Sequence, residues 1–296
     1  MWIPITLAAA TFQILRTSRQ HALRDHLSTA AAGFVRYLYG APLALALSAV
    51  VFGAVGRDLP SVPWRFWPIV TLAGVAQIVA TIALLRSFQL RDFAVGTVYS
   101  KSEVVLVAVV AAVGLGEPLR PAGWIGVLLV TVGVASLAAR GSLRRLLGRA
   151  GDPAAVLGVV AGGLFAVAAV GIRAASSSLG DAPAFDRALV TLTAMLVIQT
   201  AVNGGAFVVT DGAEIGRTVR AWRPALLVGV FSLCGSIGWA WAVTLENAAK
   251  VRTLGQVELL IAFAIAHVTL GERHGRSDHI ASGVVLVGVV VVTVLG

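Results

Sequence analysis

Charged side chains are scarce in this chain. They make up 12% of its 296 residues, against about 25% in a typical soluble domain. The remainder is rich in apolar residues and contains long runs such as VLGVVAGGLFAVAAVGI at 156–172. A run of about 20 apolar residues is long enough to cross a bilayer as a helix. We therefore expect an integral membrane protein.

Other absences exclude further classes of protein. The single cysteine, Cys234, excludes an internal disulfide. Apolar and polar residues do not alternate as they would in the strands of a membrane barrel. The chain has no G-x-x-x-x-G-K-[ST] phosphate loop and no H-E-x-x-H zinc motif, so we expect no bound cofactor or metal. The net charge of +9 does not indicate nucleic acid, because the arginines collect in short connections between apolar segments, as in membrane proteins.

The apolar segments predict ten transmembrane helices. Short connections that carry Pro, Gly, Arg or Asp separate them, such as GRDLPSVP at 56–63 and LGDAP at 179–183. The predicted helices are residues 3–22, 29–55, 66–88, 93–116, 121–140, 153–173, 183–208, 224–245, 249–270 and 279–295. The first has no basic flank and no cleavage site, so we expect it to be retained.

Two stretches of the chain repeat each other. VYSKSEVVLVAVVAAVGLGE ends at Glu117, and TLGQVELLIAFAIAHVTLGE ends at Glu272. The same offset of 155 positions (258 minus 103) takes Glu103 to Glu258. A glycine-rich apolar segment follows LGE in both halves. The chain therefore reads as two copies of one unit, residues 1–145 and 146–296.

Each copy has five predicted helices, and an odd number of spans places the two copies in opposite orientations. The predicted fold is thus an all-α membrane protein of ten helices arranged as two inverted five-helix repeats. In secondary transporters with such repeats, the binding site lies near the middle of the membrane between the halves. Four glycines are expected to let helices pack closely: Gly126, Gly133, Gly283 and Gly288.

This arrangement resembles the EamA-type members of the drug/metabolite transporter superfamily. The resemblance rests on the two five-helix repeats, each with LGE before a closing glycine-rich helix, and covers essentially the whole chain. It implies a transporter but does not specify the substrate. It also implies that the first and third helices line the cavity, which makes Gln13 and Gln77 candidate site residues.

Several ionisable residues lie at membrane depth. A Lys, Arg or Asp at a helix centre disfavours insertion by roughly 2.5–3.5 kcal/mol, so such groups usually face the interior and have partners. Glu103 and Glu258 each lie about ten residues, or roughly 15 Å, into their helices. We expect Glu103 to pair with Arg36 and Glu258 with Arg187, either to hold helices together or as a proton or substrate site. Arg187 lies close enough to its helix end to extend to the membrane surface instead.

The predicted fourth helix has two polar faces. Glu103 shares a face with Ser100 and Tyr99, three and four residues before it. Lys101 points about 200° away on a helix of 3.6 residues per turn, so we expect no ion pair between Lys101 and Glu103. One face should meet a partner helix and the other the cavity, and the spacing leaves open which does which.

The second copy differs at this place. Lys101 becomes Gln256 and Tyr99 becomes Leu254, while Arg252 shares the Gln256 face. Such a difference favours a site for one asymmetric small molecule, in which Lys101 would hold a carboxylate or phosphate as a point charge. Alternatively, Lys101 would contact a backbone carbonyl or a lipid headgroup.

Weaker candidates are polar or aromatic residues at membrane depth. Trp239 is a candidate for substrate contact, although packing is also consistent with its position. Gln199 and Asn203 are expected to make hydrogen bonds between helices.

These observations predict a secondary transporter, and specifically an exporter of a small polar or amphipathic metabolite by alternating access. Proton coupling through Glu103 or Glu258 is part of this expectation. A passive channel and a membrane-embedded enzyme are the alternatives. The expected partners are a small-molecule substrate, protons and the lipid bilayer, with no nucleic acid, and the protein would be a monomer or a homodimer.

We expect a multi-pass protein of the cytoplasmic (inner) membrane. Fourteen lysines and arginines fall in or beside the connections after odd-numbered predicted helices, and six in or beside the others. The positive-inside rule would then place the odd connections in the cytoplasm and both termini outside. The family resemblance implies the opposite orientation, so both remain open.

Overall fold

The computed structural model describes residues 1–23, 27–90, 93–139, 148, 150–261 and 275–296. Within these ranges all regular secondary structure is helical. The α-helices are α1 (Trp2–Ala22), α2 (Thr29–Ser48), α3 (Phe66–Leu90), α4 (Phe93–Ser100), α5 (Glu103–Leu115), α6 (Pro121–Ala138), α7 (Pro153–Ser177), α8 (Ala184–Thr210), α9 (Gly212–Arg220), α10 (Trp222–Leu245), α11 (Ala248–Gly255) and α12 (Arg276–Leu295). Among the described residues, eight helical spans are long and apolar enough to cross a membrane. The all-α membrane class is thereby confirmed, while the number ten stays a prediction.

Most predicted helix bounds agree with the structure to within four residues. A π-helical turn, Ala49–Ala54, continues α2 to the end of its predicted span. Three features differ. The helix predicted at 93–116 is broken into α4 and α5, the short helix α9 was not predicted, and the helix predicted at 249–270 is also interrupted. That last helix consists of α11 and a helical run at 257–261. Its remainder, and the second LGE motif with it, lies outside the described residues.

Both broken helices tighten at the break. The amide of Lys101 donates to the carbonyl of Val98 at 3.2 Å, and the amide of Gln256 donates to that of Thr253 at 3.2 Å. These i→i−3 bonds are 3₁₀-type turns, which replace the i→i−4 bonds of an α-helix. Positions 98 and 101 become 253 and 256 under the offset seen in the sequence. The repeated sequence therefore has the same local backbone geometry in both copies.

The described chain divides into two compact units. Unit 1 contains Met1–Gly74 and Gly171–Leu245, and unit 2 contains Val75–Val170 and Glu246–Gly296. Each unit takes helices from both halves of the sequence. The two sequence repeats therefore do not coincide with the two compact units. The boundary between the repeats near residue 145 stays a prediction.

Unit 1 is built on α2, α8 and α10, with α1 against α10. Its largest core cluster contains Phe34, Tyr37, Leu192 and Leu196. Hydroxyls of α8 also bond to α2, since Thr200 donates to the carbonyl of Tyr37 at 3.0 Å. Apolar burial and these polar contacts together fix the register of the two helices.

Two polar predictions for α8 have different outcomes. Gln199 is 1% exposed and donates to the Gly74 carbonyl of α3 at 3.2 Å, which confirms its interhelical bond. Asn203 donates to the Gln199 carbonyl of its own helix at 3.1 Å.

Unit 2 packs α6 directly against α12 through glycine. A Cβ on Gly133 would lie 2.7 Å from Val285 Cγ2, and a Cβ on Gly288 would lie 2.7 Å from Val130 Cγ2. The offset of 155 exchanges these two contacts, so the interface is reciprocal. The expectation of close packing is right for Gly133, Gly288 and Gly126, but wrong for Gly283, where a Cβ would meet no atom of the described residues within 4 Å.

Candidate functional site

Five polar side chains of unit 2 meet where the two broken helices approach each other. We call them the polar cluster: Lys101, Glu103, Arg252, Gln256 and Glu258. Lys101 lies in the break between α4 and α5, and Glu103 is the first residue of α5. Arg252 lies in the last turn of α11, and Gln256 lies in the second break. The breaks thus bring side chains from both halves of the sequence into one place.

Glu103 and Arg252 form the tightest contact of the cluster. Arg252 Nε donates to Glu103 Oε1 at 2.8 Å, and Arg252 Nη2 donates to the same oxygen. The side chains are 9% and 20% exposed. The expectation that Glu103 pairs with Arg36 is therefore wrong. The helix is broken just before Glu103, so the direction of this side chain does not follow from an uninterrupted helical repeat.

Lys101 bridges the two breaks. Its Nζ donates to Gln256 Oε1 at 3.1 Å and forms an ion pair with Glu258 Oε1 at 3.7 Å. An ammonium group has three N–H donors, so one of them has no acceptor among the described residues. The sequence correctly excluded an ion pair between Lys101 and Glu103. The sequence did not predict that Lys101 would be a partner of Glu258.

The cluster balances its charges across the two sequence halves. Two cations face two carboxylates, so the net charge is zero, and each carboxylate has a cation from the other half. The arrangement is asymmetric in detail, because the counterpart of Arg252 in the first half is Thr97, and the counterpart of Lys101 in the second half is Gln256. Each half therefore supplies one cation, from non-equivalent positions. Lys101 lies in an apolar segment because its charge is paired there with Glu258 of the other half.

Helix α7 packs closely against the first break. A Cβ on Gly158 would lie 2.8 Å from Tyr99 Cβ, and a Cβ on Gly162 would lie 2.8 Å from Ser102 Oγ and 2.9 Å from Glu103 N. Only glycine allows this approach. Sequence reasoning missed both residues, although their four-residue spacing in an apolar run is the GxxxG pattern of close helix packing.

The remaining site predictions in unit 2 are Tyr99, Ser100 and Gln77. Ser100 is 8% exposed, and its hydroxyl donates to the Thr97 carbonyl of its own helix at 2.9 Å. Tyr99 packs with Val95 and Val98 in a small core cluster. Gln77 lies in α3, where its carbonyl accepts from Thr81. The structure thus places Tyr99 and Ser100 beside the break, with Ser100 engaged in its own helix.

Other predicted site residues belong to unit 1. Trp239 Nε1 donates to Gln13 Oε1 at 3.1 Å, which brings two of them together. The Arg36 guanidinium lies 4.8 Å from the ring centroid of Tyr37. Arg187 Nε is buried without a hydrogen-bond partner in the described chain, and the expected ion pair of Arg187 with Glu258 stays a prediction.

Sequence reasoning also missed an ion pair at the start of α8. Arg57 Nη1 lies 3.2 Å from Asp186 Oδ1, and the Asp186 side chain is 2% exposed. The contact ties the connection after α2 to the first turn of α8. Its two residues are far apart in the sequence, and both were assigned to connections or helix ends.

Within the described residues, no group of three or more His, Cys, Asp or Glu side chains could hold a metal ion.

Comparison with known proteins gives matches of three kinds. The model of the EamA-like transporter family matches residues 2–139 and 152–294. A protein of Sinorhizobium sp. named "Uncharacterized transporter in cobO 3'region" is 32% identical over 96 residues, which cover 32% of this chain and 68% of that protein. A solved structure titled "Crystal structure of protein" superposes with a TM-score of 0.71 at 16% identity, over 99% of this chain and 98% of the other. At this identity the likeness concerns the fold alone.

Proposed function

Because this chain belongs to the EamA-like transporter family, we propose that it is a secondary transporter that exports a small polar or amphipathic metabolite by alternating access. We place it in the cytoplasmic membrane. The observation that carries the proposal is the polar cluster at the two helix breaks. Membership of this family indicates a transporter. The polar cluster provides side chains that can bind a polar substrate inside an otherwise apolar protein.

The cluster has the properties of a transport site. Ionised groups are costly at membrane depth, and they persist where they pair with each other or line a polar pathway. Broken helices recur at the binding sites of secondary transporters, where the interrupted backbone and nearby side chains contact the cargo. Lys101 and Gln256 lie at the breaks themselves. They are the side chains that we expect to touch the substrate.

Lys101 is the group best suited to recognise the substrate. It has one hydrogen bond to a neutral amide and one ion pair at 3.7 Å, whereas Glu103 accepts two bonds from Arg252. A carboxylate, phosphate or other acceptor on the substrate would bind the remaining N–H of Lys101. If such a group replaces Glu258 as the partner of Lys101, protonation of the Glu258 carboxylate would keep the cluster neutral. Proton coupling is therefore part of the proposal.

We also propose that the fold consists of ten helices in two inverted repeats. The family matches two successive segments of similar length, 2–139 and 152–294. The equivalent 3₁₀ turns and the reciprocal contacts of Gly133 and Gly288 support a local two-fold relation between the copies. Alternating access would then exchange the conformations of the two copies.

The test is transport by purified protein in proteoliposomes, with the substrate first found by a thermal-shift screen of metabolites. We expect saturable counterflow that Lys101→Gln reduces at least tenfold. Glutamine already occupies the equivalent position 256, so the variant should fold. The matched control is Lys250→Gln, which removes a lysine that pairs with Glu246 at 3.9 Å outside the cluster. Unchanged counterflow in Lys101→Gln, or equal loss in Lys250→Gln, would refute the role of the cluster.

A further inference from the structure

One end of unit 1 carries a short helix between two membrane spans. The span of α8 ends at Thr210 and that of α10 begins at Trp222, with α9 between them. Apolar side chains on both sides of α9 are exposed, with Val209 85% and Trp222 52% exposed. Apolar groups exposed to this extent at the ends of membrane spans contact lipid. Helix α9 therefore lies in the headgroup layer.

Helix α9 has a fixed inner face and an open outer face. Glu214 and Thr218 are buried, and the hydroxyl of Tyr39 in α2 donates to the Thr218 carbonyl at 3.2 Å. Val219 is 52% exposed on the outer face, and Arg220 is exposed beside it. The packing against α2 holds this outer face in a defined position at the membrane surface.

The arginines of this segment differ in their partners. Arg217 Nη2 lies 3.1 Å from Glu214 Oε1 and 3.2 Å from Asp211 Oδ2. The hydrogen bond and charge of Glu214, together with Asp211, raise the pKa of Arg217 above its ordinary value. Within the described ranges, Arg220 donates only to the Gly216 carbonyl, at 3.2 Å. Arg217 is thus engaged within the protein, while Arg220 has no carboxylate partner among the described residues.

Two more exposed arginines lie at this end of unit 1. The Arg223 guanidinium lies 5.5 Å from the ring centroid of Trp222. Helices α1 and α10 pack side by side, with the rings of Phe12 and Phe231 6.4 Å apart, and farther along this pair Gly238 packs against Ala9. Helices α1 and α10 therefore run antiparallel. Arg19, near the end of α1, accordingly lies at the level where α10 begins. Neither Arg19 nor Arg223 has a carboxylate partner in the described part of the chain.

We propose that Arg19, Arg220 and Arg223, together with Trp222, form a binding site for the headgroup of an anionic phospholipid. Guanidinium groups bind phosphate with two parallel hydrogen bonds. Tryptophan prefers the boundary between headgroups and hydrocarbon. The apolar exposure on both sides of α9 supplies the surface for the acyl chains. A cationic site bordered by apolar surface fits a lipid better than a soluble anion, because a soluble anion has no acyl chains to contact that surface.

The experiment measures lipid binding to purified protein in detergent by native mass spectrometry. Phosphatidylglycerol and phosphatidylcholine are titrated separately. Each basic residue at a membrane surface contributes about fivefold to affinity for anionic lipid, so Arg220→Gln/Arg223→Gln should bind phosphatidylglycerol about 25-fold more weakly. Binding of phosphatidylcholine should not change. The variant Arg220→Lys/Arg223→Lys keeps the charges and should retain most of the affinity.

The control is Arg120→Gln, which removes one exposed arginine at the start of α6 in unit 2. It should weaken phosphatidylglycerol binding by no more than the roughly fivefold of a single surface charge. All variants change exposed side chains, and a monodisperse elution profile checks that each is folded. A loss below threefold in Arg220→Gln/Arg223→Gln, or an equal loss in Arg120→Gln, would overturn the proposal. The measurement does not depend on transport, so its outcome is separate from that of the proposed function.

Discussion

Replacing Glu103 by glutamine should destabilise the protein measurably. The substitution keeps the shape of the side chain but removes the charge that accepts two bonds from Arg252. Losing one partner of a buried ion pair costs about 3–5 kcal/mol. Arg252 is 20% exposed, and the glutamine oxygen can still accept one bond. We therefore expect a loss of about 2–3 kcal/mol in the free energy of unfolding.

A double-mutant cycle separates the ion pair from other effects of the substitutions. In Glu103→Gln/Arg252→Gln both charges are gone, so the combined loss should be smaller than the sum of the single losses by about 2 kcal/mol. Unfolding is followed by helical circular dichroism during titration of a mild detergent with sodium dodecyl sulfate.

The control cycle uses Glu246→Gln and Lys250→Gln. This pair lies in the same unit at 3.9 Å, with side chains 30% and 22% exposed. This half-buried pair at a longer distance should show a coupling of about 0.5 kcal/mol or less. If the cycle of Glu103 and Arg252 gives no more than this, the reasoning about a stabilising buried pair is refuted.

Glycine substitutions test the close contacts in unit 2 by the same unfolding measurement. Gly162→Ala should cost about 1–3 kcal/mol because its Cβ meets the backbone of the broken helix, whereas Gly163→Ala, whose Cβ would have only a contact at 3.8 Å, should cost nothing. Equal results for this adjacent pair would contradict the packing. Gly133→Ala and Gly288→Ala should destabilise by similar amounts because their contacts are reciprocal, while Gly283→Ala should be neutral. A large difference between Gly133→Ala and Gly288→Ala would rule out that equivalence.

Hydropathy was sufficient to predict most helices, because a membrane-spanning helix requires a long apolar run regardless of which helices it contacts. It could not show the break at Lys101, since an α-helix and a 3₁₀ turn satisfy the same apolar pattern. It also missed α9, whose sequence GAEIGRTVR is too polar and too short to span a membrane. Local hydrogen bonding and surface position determine both features.

The candidate site was predicted in its residues but not in its pairing. The offset between repeats singled out Glu103 and Glu258, and depth singled out Lys101. The partner expected for Glu103 was wrong because the sequence of a single helix does not show which neighbour it faces. Arg252 was assigned to the face of Gln256, and nothing in the sequence of its helix shows that its guanidinium meets Glu103. Pair assignments of this kind depend on tertiary contacts.

The balance of charge in the polar cluster has an electrical consequence. An elementary charge that crosses the membrane potential exchanges about 2.3 kcal/mol per 100 mV with the field. Two cations and two anions that move as one body exchange none. A conformational change that carries Lys101, Glu103, Arg252 and Glu258 together would therefore exchange no energy with the membrane potential through these four groups.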